Sequence, residues 1–380
     1  MQILSADIGT GTQDIFLFQK GLGLENGYKL VMPSPTMVTR RRLQEATRRG
    51  DPVLLTGVTM GGGPCHWAAE DHLRAGYRVY ATPDAARTFN DDLDWVVREM
   101  GIVVIDDEEA LHPEEAVRLE LRDFDYPGIR SAFEAFGVSL EPAAVAVAVF
   151  DHGAAPPGVS DRLFRFEYLE RQILAQNRLT AFAFRAEDVP PFLTRMKAVS
   201  GSARSLACPL VVMDTAPAAI QGALLDPFVS SRPQQIVANV GNFHTLAFRL
   251  NADRIEGLFE HHTGLLDLPR LEHLLVSLAD GTLNHREVYE DNGHGAWLSA
   301  KGALHLESGH FALAVTGPRR SMLSASSLHP YFAVPYGDMM LTGCYGLLVA
   351  VAELLPDLAP VLRPAMEGRF AALAPWELES

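Results

Sequence analysis

At 380 residues, with 48% apolar and 21% charged content, the chain has room for two or three domains with real cores and shows no sign of bulk disorder. A formal net charge of −15 argues against nucleic acid or an anionic membrane as the main partner. Positive charge is almost entirely arginine: the lysines are Lys20, Lys29, Lys197 and Lys301, and none closes a Gly-rich loop with the Lys-Ser/Thr pair that a P-loop requires.

The first segment, Ile3 to Phe18, predicts a β-hairpin. An apolar strand carrying Asp7 breaks at Gly9-Thr10-Gly11-Thr12-Gln13 and resumes as Ile15 to Phe18, so the tip is built from residues that tolerate positive φ. Such a tip either cradles phosphate oxygens with its amides and the Thr10 and Thr12 hydroxyls, or simply turns the chain and binds nothing. Asp7 stands where a divalent cation would need a carboxylate. Val53 to Thr56 predicts a short strand running into Met60-Gly61-Gly62-Gly63-Pro64, then a helix over His66 to Ala75 and a strand over Tyr77 to Ala81. Three consecutive glycines suggest backbone lying against a ligand or a domain interface, with a flexible loop as the alternative.

Val145 to Phe150 predicts a buried strand ending at Asp151-His152-Gly153, where α/β folds place functional side chains. Asp151 and His152 are expected either to bind substrate or hold a water, or to form a self-satisfied turn. Leu210 to Met213 predicts another buried strand, ending at Asp214. Alternating strands and helices give an α/β class, with a boundary expected at Ser200 to Ser205 and domains at 1–203 and 204–380. Ile236 to Phe248 then echoes the first hairpin, with Asn239-Val-Gly241-Asn242 matching Asp7-Ile-Gly9-Thr10. A duplicated fold with a ligand between its halves is the inference.

These residues resemble the superfamily of actin-like ATPases, sugar kinases and heat-shock chaperone ATPases. Asp7 to Thr12 resembles its first phosphate motif, Asn239 to Thr245 its second, Ala314-Val-Thr316-Gly317-Pro318-Arg319-Arg320 its adenosine motif, and Gly337 to Gly346 its small-residue crossing helix. The resemblance implies two duplicated ribonuclease H-like α/β domains, each on a five-stranded sheet, with ATP and Mg²⁺ in the cleft. It implies Asp7 at the metal, and Gly9, Thr10, Gly11, Thr12, Gln13, Gly241, Asn242, His244, Thr245, Gly317 and Arg319 around the nucleotide. Asp214, in the position of the carbohydrate kinases' catalytic aspartate, would be the general base. Gly61, Gly62, Gly63, Asp151 and His152 are expected at the substrate. Asn239 replaces a common aspartate, and Pro318-Arg319-Arg320 replaces a Gly pair, so the adenosine turn departs from the pattern. Arg319 and Arg320 either stack on a base or bind phosphate, or decorate a solvated turn.

The favoured function is ATP-dependent phosphoryl transfer to a small hydroxylated substrate. The alternatives are an ATP-hydrolysing switch that activates a partner protein, and a degenerate nucleotide-binding module. The chain also resembles a microbial family labelled as a pyruvate formate-lyase activating enzyme. That label implies radical chemistry on a three-cysteine iron–sulfur cluster, and Cys65, Cys208 and Cys344 are too far apart in sequence for such a motif, so this activity is rejected. With thirteen histidines but no H-x-H or H-x-x-x-H pair, no zinc site is expected. Asp7 interrupts the first apolar run, and Leu347 to Leu355 is too short to span a bilayer, so the expected location is cytoplasmic. The acceptor-binding insert is expected between Thr82 and Glu141.

Overall fold

The computed structural model describes residues 1–106, 116–299, 302–306, 312–368 and 373–378. The opening hairpin forms as expected: β1 (Gln2–Ile8) pairs antiparallel with β2 (Thr12–Gln19), placing Asp7 directly opposite Asp14, and β3 (Tyr28–Pro33) continues the meander.

The chain then leaves the sheet. Ser34 caps the helix Pro35–Arg49, which leads into a separate four-stranded parallel sheet of order β6-β5-β4-β7, built from β4 (Val53–Gly57), β5 (Val79–Ala81), β6 (Val103–Val104) and β7 (Val117–Leu121). Its core gathers Leu43, Leu55, Met60 and Cys65. The insert therefore begins before Val53 rather than at Thr82. A short buried run such as Val53–Thr56 looks the same in sequence whichever sheet it joins. The helix expected over His66 to Ala75 spans Pro64–Arg74, with Gly63 at its N-cap and Pro64 in its first turn.

The first sheet resumes with β8 (Pro142–Val149), parallel to β1, and ends with β10 (Leu210–Asp214) parallel to β8, while β9 (Ala183–Arg185) adds an antiparallel edge. Its order is β3-β2-β1-β8-β10-β9. Because β10 lies in this sheet, the expected boundary at 203/204 is misplaced: the change of sheet falls between Asp214 and Gln234, and the Ser-rich stretch there only ends the helix Thr194–Ser202.

The second six-stranded sheet is built from β11 (Gln234–Val240), β12 (His244–Asn251), β13 (Arg254–His262), β14 (Gly295–Leu298), β15 (Leu313–Thr316) and β16 (Tyr331–Phe332). Its order is β14-β13-β12-β11-β15-β16. Here too a three-strand antiparallel meander passes into parallel strands, β11 to β15 and β15 to β16. Among the described residues, each of these two sheets has six strands rather than five, with an antiparallel strand, β9 or β14, at one edge.

Both faces of the central strands are buried. One apolar cluster joins Leu4 and Val147 of the first sheet to Val237 and Phe248 of the second, and so runs between the two. The helix Thr342–Leu354 crosses back to pack on β1, β8 and the helix Thr215–Ala223. These two helices touch backbone to backbone: a Cβ on Gly222 would overlap the Thr342 carbonyl, and one on Gly346 the Ala218 carbonyl. Among the described residues, no single helix is long and apolar enough to cross a membrane.

Candidate active site at the junction of the sheets

A cavity of about 1350 Å³ opens where the two hairpin tips, the Gly-rich loop of the insert and the helix Thr342–Leu354 converge. The two tips use the same turn. Gly9 N–H donates to Thr12 O at 2.9 Å, and Gly241 N–H donates to His244 O at 3.0 Å. None of Gly9, Gly11 and Gly241 takes left-handed backbone, which corrects the expectation that the tip depends on positive φ. Glycine is needed there for close approach. A Cβ on Gly11 would stand 2.6 Å from Asn242 Nδ2 of the opposite tip, and one on Gly241 would stand 2.7 Å from His244 O. Gly63, at φ +58°, lies against Thr10 of one tip and Phe243 of the other, so three loops meet at this point.

From the first tip, Asp7, Gly9, Thr10 and Thr12 line the cavity; from the second, Gly241, Asn242 and His244. Gly61, Gly62 and Gly63, Asp151 and His152, and Gly317 line it as well. Other expected residues point elsewhere. Gly11 packs against Asn242, Gln13 donates to Pro33 O at 3.1 Å, and Thr245 is buried against the Thr263 hydroxyl at 2.9 Å. Arg319 donates its backbone N–H to Val240 O and is not part of the lining, while the Arg320 guanidinium donates to Ala333 O. Gly317, at φ +99°, is required: a Cβ would meet Asn239 Oδ1 and Val240 O, each at 2.5 Å.

Two carboxylates face each other across the first hairpin and both line the cavity. Asp7 Oδ1 accepts a hydrogen bond from Thr215 Oγ1, and its other oxygen faces Gly343, where any Cβ would overlap it. Burial raises the Asp7 carboxyl to about 6. Burial, and then the neighbouring Asp7 charge, raises Asp14 to about 8. Asp14 Oδ1 is buried without a hydrogen-bond partner among the described residues. Asp14 was not singled out in the sequence, although its position across the hairpin from Asp7 follows from the register.

Asp214 does not line the cavity. It is fully buried, caps the helix Thr215–Ala223 through Ala216 N–H, and has both oxygens held by Arg165, at 2.7 and 3.3 Å. Arg165, on the helix Asp161–Ala175, also donates to Glu260 on β13 at 3.0 Å and so ties the first sheet to the second. A carboxylate held in this way is poorly suited to accept an acceptor's proton, so the base role implied for Asp214 does not fit its surroundings. Asp151 does line the cavity, but its oxygens accept the Gly153 and Met196 amides at 2.8 and 2.9 Å, and burial raises it to about 6. Asp151 is thus held by its own turn through Gly153 and by the helix Thr194–Ser202 through Met196. Sequence reading did not single out Arg165, which sits in an ordinary amphipathic helix.

His152 follows β8, His244 opens β12 and His294 precedes β14, and their ring nitrogens converge to within 4.8 Å of one another. Phe150 stacks on His244 at 4.1 Å, and burial pushes His152 down to about 3 and His244 and His294 well below the ordinary imidazole value. Spacing along the chain gave no sign of this trio, because its members sit on separate strand ends.

The molecule is thus a mixed α/β protein with two similarly ordered sheets and a polar cavity between their hairpin tips. Residues 60–322 match the family described as "Putative pyruvate format-lyase activating enzyme (DUF1786)", and the chain belongs to that family. No curated protein matches it. Among solved structures it is similar to that of ethanolamine utilization protein EutJ from Carboxydothermus hydrogenoformans, at 12% identity over 91% of this chain and 89% of that one, with a TM-score of 0.33. It is also similar to the Aquifex aeolicus PPX-GPPA enzyme, at 10% identity over 94% and 93%, with a TM-score of 0.20. The three cysteines stand apart in space as in sequence: Cys65 lies in the insert core, Cys344 under the first sheet, and Cys208 packs against the cluster between the sheets. They offer no three-thiolate set for an iron–sulfur cluster.

Proposed function

We propose that this chain is an actin-like ATPase-fold protein that binds ATP with Mg²⁺ between two duplicated halves and cleaves its terminal phosphoryl bond. The observation that carries this reading is the matched pair of tips, each closed by a Gly N–H to carbonyl hydrogen bond and set against the other through Gly11 and Asn242. Amides of both tips and the Thr10 and Thr12 hydroxyls would hold the phosphate oxygens. Asp7 and Asp14 fit a hard divalent cation, since a half-buried and a buried carboxylate stand together and Asp14 Oδ1 has no partner among the described residues. When bound, Mg²⁺ would neutralise charge on the phosphates. Gly317, Met339 and Met340 would line the nucleoside end.

Between the two chemical outcomes, hydrolysis is favoured, because the carboxylate expected to deprotonate an acceptor is engaged by Arg165. Transfer to a small hydroxylated substrate is the second reading, favoured by a cavity larger than the ~300–1,000 Å³ of ordinary ligand pockets. The test is ADP release from Mg·ATP, with and without a panel of sugars and polyols. Release without any acceptor supports hydrolysis, phosphorylated product supports transfer, and no turnover under either condition contradicts both.

A further inference from the structure

The histidine trio lies at one side of this cavity and is absorbed by neither reading. His152 and His294 approach Nε2 to Nε2 at 3.3 Å, with rings nearly parallel. His244 Nε2 and His294 Nδ1 are buried with no hydrogen-bond partner among the described residues. Leaving a buried ring nitrogen unpaired is costly, and three neutral imidazoles whose ring nitrogens converge within 4.8 Å of one another form a ligand set. A tetrahedral ion with Zn–N bonds of about 2.0–2.1 Å would space its ligand nitrogens by ~3.4 Å. The His152–His294 pair already stands at that separation, and the ligand nitrogens of all three lie within 4.8 Å of one another.

Charged groups near the trio are paired with one another. Arg165 and Arg195 supply two guanidinium groups, while Asp123, Asp151, Asp214 and Glu260 supply four carboxylates around them. Glu260 Oε1 lies 3.6 Å from His294 Nε2, the ring nitrogen that faces His152. His262 flanks the trio, with its ring 4.8 Å from that of His294. His152 and His244 line the cavity whereas His294 is fully buried behind them, so a bound ion would keep one face toward the cavity.

We infer that His152, His244 and His294 bind one divalent borderline transition-metal ion of the Zn²⁺ class, leaving an open coordination position toward the cavity for a water or anionic oxygen. Imidazole-only ligation selects Zn²⁺, Co²⁺ or Ni²⁺ over Mg²⁺, so this site is distinct in chemistry from the Asp7–Asp14 pair.

The test is a Co²⁺ titration of the chelator-stripped full chain without nucleotide, read by the visible absorption of the bound ion and by Zn²⁺ displacement. The expected result is one equivalent per chain, displaced by Zn²⁺ and unaffected by Mg²⁺. His152→Gln and His294→Gln should each weaken binding by at least ~10-fold, by analogy with the 10–100-fold losses seen on disturbing metal ligation, while Asp14→Asn leaves it within twofold. Less than about a tenth of an equivalent bound by the wild type, or unchanged affinity in His152→Gln, overturns the inference. Because His294 is buried, His152→Gln is the deciding variant, and circular dichroism confirms its fold. Since nucleotide is absent, failure here leaves the ATP reading intact, and failure of the ATP reading leaves this one intact.

Discussion

The two hairpins share a turn and differ in what stands beneath it. Under the first tip, Asp7 faces Asp14 across the antiparallel pair; under the second, Asn239 occupies the place of Asp7 and faces Leu246. Both tips present backbone to the cavity, but among the described residues only the first offers paired carboxylates. The backbone geometry is thus common to both halves, whereas the side-chain charge is not. The paired carboxylates belong to one jaw, and the other jaw presents Asn242 and the Asn239 side chain held against Gly317.

The largest effect is expected where the halves are tied together. Arg165→Ala leaves Asp214 and Glu260 buried and unpaired, and should cost ~3–5 kcal/mol in urea unfolding; a loss under 1 kcal/mol would mean that the tie is not structural. Next comes Gly11→Val, which pushes the tips apart at Asn242 and should weaken nucleotide binding by ~1–3 kcal/mol, roughly 5- to 150-fold, with little change in fold. Binding that is unchanged in calorimetry would separate the tips from the ligand.

The acidic pair gives a pH signature that the second jaw lacks. Asp7 is raised from 3.8 to about 6 and Asp14 from 3.8 to about 8, so the folded state holds protons that the unfolded state has released. Their contribution to stability is present in full below about pH 4 and is lost as pH rises toward 8. Without divalent cations, the melting temperature of wild type should fall over that window more than that of Asp14→Asn, and Mg²⁺ should raise it more at pH 8 than at pH 5. Identical profiles for the two proteins would contradict the pairing. The smallest effect is Asn242→Ala, which should lower nucleotide affinity by about one neutral hydrogen bond, ~0.5–1.5 kcal/mol.

Much of this arrangement could be read from the sequence. Gly9 and Gly241 mark the two hairpins. What escaped depends on contacts between distant segments. Asp214 is a plausible base when read beside a strand end, and only the arrival of Arg165 from another helix shows its carboxylate to be engaged. The histidine trio is invisible to spacing rules because each member sits at the end of a different strand. The insert was misjudged because a strand such as Val53–Gly57 carries no mark of the sheet it will join.

The central claim is that the paired tips clasp a nucleotide through a cation on Asp7 and Asp14. Calorimetry of the full chain with ATP, with and without Mg²⁺, for wild type and Asp14→Asn, tests it most directly. The account predicts a single site per chain that requires Mg²⁺ and is weakened in Asp14→Asn. No binding of Mg·ATP at millimolar concentration, or equal binding by the two proteins, would contradict it.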